Sequence, residues 1–267
     1  MMVAFCQSPK KSVRRASDEL ELSKTSVHSI LKDHKMHPYR LRILHELFDE
    51  DLAARCAFSR EMFQLSSDDF LNQVLFSDEA VFHLSGEVNR HNCMYWSPNN
   101  PSHTIMKPLQ SPKIVRSGGL VGPYVFDATV NGESYLEMLR DWLLPQLQQI
   151  DSFNNGEMFF QQDGAPPHWS RVMCDWLDAT FPYSWIGRGG PISWPARSPD
   201  LTPLDYWLWG DMKHRVYATR PGSLDELRQR IVDEANKITA ETCYNKALLD
   251  FSRRLRTCLE NEGGHIE

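Results

Sequence analysis

Three aspartates stand where a carboxylate has no structural reason to be. Asp78 follows the apolar run Val74-Leu75-Phe76, Asp163 ends Met158-Phe159-Phe160, and Asp205 sits inside Pro203-Leu204-Asp205-Tyr206-Trp207. A carboxylate at the end of a buried strand loses hydration and needs compensation, usually from a cation. Three converging carboxylates would supply the hard oxygen ligands that a pair of Mg²⁺ or Mn²⁺ ions takes, with positions left for water and phosphate. The chemistry so described is phosphoryl transfer on a polynucleotide. Around this set, Glu79 reads as a supporting or solvent-facing carboxylate. His168 reads as a DNA contact, as a carboxylate-orienting group, or as a histidine satisfied by backbone. Arg188 and Arg197 are candidate phosphate contacts, and Trp185 and Trp194 are candidate stacking faces or loop-ordering groups.

The elements that must carry these residues follow from periodicity. Val74–Phe76, Val81–Leu84, Pro123–Val130 and Met158–Gln161 read as strands, with Tyr135–Gln149 and Ser170–Ala179 as helices between them. Strands interleaved with helices imply an α/β layer structure. Residues 181–202, rich in Pro, Gly and Trp, read as a long ordered loop. Ser223 to Glu262 returns to helix, with Leu224, Leu227, Ile231, Ala235 and Ile238 as its core stripe. Upstream, Ser12 to Lys35 reads as two short helices around a tight turn. Val13, Ala16 and Leu20 form one stripe, and Val27, Ile30 and Leu31 the other. Ser23 is the expected N-cap of the second helix, whose outer face presents Lys24, Thr25, His28 and Lys32. His37-Pro38-Tyr39-Arg40 reads as a linker, followed by helical periodicity from Leu41 to Leu65.

Composition narrows the class. The chain has 267 residues, 41% hydrophobic and 24% charged, enough for one large core plus a small module. No apolar run approaches the roughly 20 residues a membrane-spanning helix needs, and residues 1–9 carry no secretory pattern. Its six cysteines are widely spaced without a CxxC pair, which argues against a zinc site and for a reducing compartment. The net charge of −6 hides an asymmetry: residues 1–44 hold nine Lys/Arg against four Asp/Glu, while the remainder holds 20 against 31. A basic head on an acidic body suggests that the head, including Arg14 and Arg15, meets phosphate.

Three blocks then carry a resemblance. Phe76-Ser77-Asp78-Glu79, Gln162-Asp163-Gly164-Ala165-Pro166-Pro167-His168, and Ser198-Pro199-Asp200-Leu201-Thr202-Pro203-Leu204-Asp205-Tyr206 resemble the catalytic blocks of Tc1/mariner transposases. The hairpin of residues 12–35 is similar to the second helix-turn-helix of that family, and Leu44-His45-Glu46-Leu47 to part of its linker. The resemblance implies an RNase H-like mixed sheet flanked by helices, an all-α helix-turn-helix segment ahead of it, and Asp78, Asp163 and Asp205 as a metal-binding catalytic triad. Asp200 competes with Asp205; the family places its third acid after the second proline, which selects Asp205. Forty-one residues separate Asp163 from Asp205, a DD41D spacing. Implied as well are two Mg²⁺ or Mn²⁺ ions with Asp78 bridging them, terminal inverted-repeat DNA as partner, a homodimer, nuclear location and no membrane. The implied division is residues 1–37 for DNA binding, 38–70 for linker helices and 71–267 for the catalytic domain.

One stretch departs from the family pattern. Lys113-Ile114-Val115-Arg116-Ser117-Gly118-Gly119 offers two apolar residues where relatives carry a long apolar strand. A strand that short would pair poorly with the one carrying Asp78, and together with the lack of a first helix-turn-helix it suggests a decayed or domesticated copy. Three readings follow: an active transposase, a transposase-derived protein that only binds nucleic acid, or an RNase H-like nuclease without target preference.

Overall fold

The computed structural model describes residues 13–34, 46–65, 68–84, 109–116, 119–126 and 129–266. They fall into two compact units, Met1–Leu44 and His45–Glu267.

In the first unit, α1 (Val13–Leu20) and α2 (Lys24–Asp33) form the expected pair. Ala16 and Val27 are fully buried, with Val13, Leu20 and Leu31 packed around them. Ser23 caps α2, its side-chain oxygen accepting from the Ser26 N–H at 3.0 Å. Such a cap is worth about 1 kcal/mol. Lys24, Thr25, His28 and Lys32 are all exposed. Arg14 and Arg15 lie on α1 by sequence, with side chains outside the described residues, as is the linker at 37–40.

The second unit is built on a six-stranded sheet in the order β3-β2-β1-β4-β5-β6: β1 Val74–Phe82, β2 Leu109–Arg116, β3 Gly119–Val121, β4 Phe159–Gln161, β5 Trp185–Gly187 and β6 Ile192–Ser193. β1 is antiparallel to β2 and parallel to β4, and the parallel set continues through β5 and β6. Each face is covered by helices. One face packs against α3 (Asp49–Leu65), α4 (Asp68–Gln73), α7 (residues 204–216), α8 (Leu224–Asn236) and α9 (residues 240–260). The other packs against α5 (residues 132–147) and α6 (Arg171–Thr180). Val74, Phe76, Ala80 and Phe82 of β1 enter the first core and Leu75 enters the second. Burial on both faces is why Val74-Leu75-Phe76 reads as a continuous apolar run rather than an alternating one.

Several sequence expectations need correction. Val74–Phe76 and Val81–Leu84 are not two strands: β1 runs unbroken from Val74 to Phe82, with Ser77, Asp78 and Glu79 inside it. Asp78 is therefore mid-strand, and the polar triplet that looks like a break lies within the ladder. Pro123–Val130 is not a strand either. β3 ends at Val121, Gly122 has φ +110°, and Pro123 has no N–H to extend a ladder. The expected loop 181–202 contains the parallel strands β5 and β6. Finally, the strand beside Asp78 is not shortened. β2 pairs with β1 continuously from Phe76↔Val115 to Phe82↔Leu109, with Lys113 opposite Asp78. Its upstream half, Leu109-Gln110-Ser111-Pro112, is polar enough to escape an apolar-run reading. The loosened seat for Asp78, and the decay argument built on it, fall with this pairing.

Candidate functional site

The strand register alone brings two of the aspartates together. β1 and β4 run parallel with Phe76 opposite Gln161. Asp78 and Asp163 are each two residues further on, so the pleat turns both toward the same side, Asp78 from mid-strand and Asp163 from just past the end of β4. Asp205 arrives from α7, which begins with a π-turn at Leu204–Leu208 and continues as α-helix over Trp209–Val216. All three aspartates line one open cleft of about 700 Å³, together with Gly164, Arg188, Trp194, Arg197 and Thr202.

Electrostatics confirm that the carboxylates feel one another. Burial, then the charges of Asp205 and Glu79, push the Asp78 carboxyl well above its ordinary range. Crowding by the cleft walls and the Asp163 charge raise Asp205 to about 6, although Asp205 keeps an exposed rim. Asp78 and Asp205 share a hydrogen bond, so a proton between them relieves part of the repulsion. Two residues absent from the sequence expectations support the pair. Trp209 Nε1–H donates to Asp78 Oδ2 at 2.7 Å, and Lys213, itself depressed by burial, draws Asp205 downward. Asp205, Trp209 and Lys213 lie at i, i+4 and i+8. That spacing was available in the sequence, but only the helix's approach to β1 gives it meaning.

Asp163 is oriented from behind. Its Oδ1 accepts from the Ala165 N–H at 2.9 Å and pairs with His168 Nδ1 at 2.6 Å, which together keep its carboxyl low despite burial. His168 Nε2 lies 3.1 Å from Glu79 Oε2, an ion pair off the line of a good hydrogen bond. The imidazole stacks on Tyr135 of α5 with centroids 4.3 Å apart, and its carbonyl accepts from Gln162 Nε2. His168 thus orients a carboxylate, and Glu79 is the counter-charge behind it.

Burial opposes the His168 charge, but Glu79 and Asp163 outweigh it and raise the pKa from 6.5 to about 10. The folded protein therefore keeps a proton that the unfolded chain releases. The resulting stabilisation is complete below about pH 6.5 and is lost as pH rises toward about 10. In EDTA, His168→Gln should be less stable than wild type near neutrality, with the gap closing as pH approaches 10. Urea unfolding across that range checks this; a gap independent of pH would refute it.

Other candidates separate cleanly. Asp200 does not enter the cleft: Arg55 of α3, fully buried, grips both its oxygens at 2.7 Å. Arg197 is held bidentately by Asp51 and stacks on Phe48. Trp185 is a core residue whose Nε1–H donates to Asp178, and Trp194 packs edge-on against Phe58, so both order the structure. Arg188 remains exposed at the cleft, its guanidinium 3.8 Å from the centroid of the Trp169 ring.

The donor set suits divalent cations of the hard class: three carboxylates at one cleft, one pushed up by burial and then by neighbouring acids, and Thr202 Oγ1 buried there without a partner among the described residues. Among the described residues, no group of three or more His, Cys, Asp or Glu side chains is already gathered closely enough to hold a metal ion.

A mixed sheet covered on both faces by helices, with Asp78 inside its central strand and Asp163 just past the neighbouring one, is an RNase H-like fold. No family model matches the chain. Its sequence is 26% identical over 210 residues to the Tc3 transposase of Caenorhabditis elegans, covering 73% of this chain and 58% of that protein. It is 22% identical to the Mariner Mos1 transposase of Drosophila mauritiana, covering 95% of this chain and 74% of that one. The Mos1 transposase paired-end complex with left transposon end superposes with TM-score 0.70 at 19% identity, covering 100% of this chain and 78% of that chain. The Mos1 catalytic domain with raltegravir and Mn gives 0.66 at 20% identity, over 84% of this chain and 100% of that one. The chain is thus similar to Tc1/mariner transposases, and it spans a little over half the length of Tc3.

Proposed function

We propose that this protein is a DNA transposase of the Tc1/mariner type, cutting and joining phosphodiester bonds at transposon ends. The observation that supports it most is the meeting of Asp78, Asp163 and Asp205 at one cleft, from three segments far apart in sequence. These carboxylates would hold two divalent ions, Mg²⁺ or Mn²⁺; the solved Mos1 catalytic domains include forms with each. When bound, the ions activate the attacking hydroxyl and neutralise the leaving oxygen. The chain's own residues do the positioning. Trp209 holds Asp78, His168 and the Ala165 N–H hold Asp163, and Lys213 offsets charge beside Asp205.

In this reading residues 1–37 contact DNA, 38–70 link, and 71–267 catalyse. The exposed face Lys24, Thr25, His28 and Lys32 meets the terminal inverted repeats, with Arg14 and Arg15 of α1 adding phosphate contacts. Solved Mos1 complexes are paired-end assemblies on transposon DNA, which supports a homodimer here, acting in the nucleus. No helix among the described residues is long and apolar enough to cross a membrane.

The test is nicking of DNA carrying the element's own ends, in Mg²⁺ and in Mn²⁺. Wild type should cut, and Asp163→Asn should cut about a thousandfold less, the equivalent of about 4 kcal/mol. DNA binding without cleavage in either metal would instead leave a protein that binds and does not cut.

A further inference from the structure

The cleft has one arginine whose donors are not already committed. Arg197 is held by Asp51 and Arg55 by Asp200, whereas among the described residues no carboxylate or carbonyl accepts from Arg188. Its guanidinium lies against Trp169, and its stem passes over Gly164, where an added Cβ would meet Arg188 Cβ at 3.7 Å and Cδ at 3.8 Å. Arg188 thus stands beside Asp163 at the cleft wall.

Both partners are rigidly mounted. Arg188 sits on the turn between β5 and β6, between Gly187 and the Gly189-Gly190 pair. A Cβ at Gly187 or Gly190 would come within 2.9 Å or 2.7 Å of the Trp185 ring, so only glycines let this turn close over that buried indole. Gly189 has φ +82°. Trp169 ends the 3₁₀ turn Pro166–Trp169, stiffened by two prolines and by Gln162 Nε2–H donating to the His168 carbonyl. His168 is drawn inward to Asp163, and Trp169, next in the chain, is turned out and is 44% exposed. An exposed indole carrying a guanidinium whose N–H groups face solvent is well suited to a nucleic-acid strand. The stacked fork accepts a phosphate, and an aromatic ring can take a base.

We propose that Arg188 and Trp169 form a nucleic-acid subsite at the cleft. The guanidinium binds a backbone phosphate of the DNA strand passing Asp163, while the indole fixes the guanidinium and offers a face to the adjoining base. This rests on the reading of the cleft as a DNA-cutting site. It assigns to Trp169 the stacking role that the sequence suggested for Trp185 and Trp194.

Fluorescence anisotropy of the full chain tests it, with a fluorescein-labelled duplex of random sequence bearing a single-stranded 3′ tail, in Ca²⁺ in place of Mg²⁺. Arg188→Ala and Trp169→Ala should each weaken binding about fivefold or more, and Trp169→Phe should keep most of the affinity. Arg188→Ala should also flatten the slope of log affinity against log salt by about 0.9. Arg220→Ala, an exposed arginine that does not line the cleft, should change neither. Because both side chains are at the surface, unchanged thermal melts will show that the variants fold. If wild type binds and the two alanine variants bind equally well, the subsite is overturned and the transposase reading stands. Should wild type itself bind no DNA, that reading fails first and the subsite with it.

Discussion

Asp78→Asn abolishes metal-dependent cleavage, by about a thousandfold or more, and at the same time raises the melting temperature of the metal-free protein. Both effects have one origin. Asp78 is 8% exposed in the middle of the central strand, where burial and then Asp205 and Glu79 hold its carboxyl well above the usual range. For an acid raised in this way, the folded state binds a proton the unfolded chain does not. Stability is then lost as pH climbs from the ordinary 3.8 toward the raised value, so near neutrality the group works against folding. Asparagine removes the charge, keeps the shape, and retains an oxygen for the Trp209 N–H. It also removes one of the proposed metal ligands. Mg²⁺ should therefore raise the melting temperature of wild type and leave the variant unmoved, since only a ligand bound to the folded state stabilises it. Differential scanning calorimetry with and without EDTA, beside the nicking assay, reads all three. A variant that melts lower than wild type in EDTA and still cuts would remove Asp78 from the site.

Arg55→Ala costs about 3–5 kcal/mol of folding stability, although Arg55 touches no aspartate of the cleft. Its guanidinium is fully buried and makes five hydrogen bonds: two to Asp200, and one each to Ser198 Oγ, the Gly263 carbonyl and the Gly264 carbonyl. Asp200 accepts in addition from the Ile266 N–H. The chain's last turn can approach only because residue 263 is glycine. Its φ is +86°, and an added Cβ would come within 2.2 Å of the Leu52 carbonyl oxygen. Truncating Arg55 strands a buried carboxylate and two buried carbonyls at once. Removing both charges together, as in Arg55→Met with Asp200→Leu, should recover much of the loss, because no orphaned charge remains. Urea unfolding of the single and double variants measures this. A single variant within about 1 kcal/mol of wild type would show that the lock does not bear on stability.

This lock also explains why Asp200 and Asp205 could not be told apart by residue type or by spacing. Both follow a proline by one or two residues, and both are acids in one short block. Asp200 is claimed by an arginine 145 positions away, and Asp205 is turned onto a helix face that meets β1. The family resemblance selected Asp205, which lines the cleft as Asp200 does not; nothing local told them apart.

The sequence by itself determined the α/β layering, the helical stripes of α1, α2 and α8, and the cap at Ser23. Each is carried by residues near one another in the chain, where periodicity and residue type have local meaning. Only the tertiary structure decided that β1 runs through its polar triplet, that β2 extends back to Leu109, and that two short strands lie within residues 181–202. The same holds for Glu79 behind His168 and Trp209 on Asp78. A strand of mixed polarity becomes a strand when a neighbour satisfies its backbone, and a carboxylate becomes a ligand or a lock according to which distant side chain reaches it. Those partners are supplied by register and helix docking between segments distant in the chain, and local pattern contains no record of them.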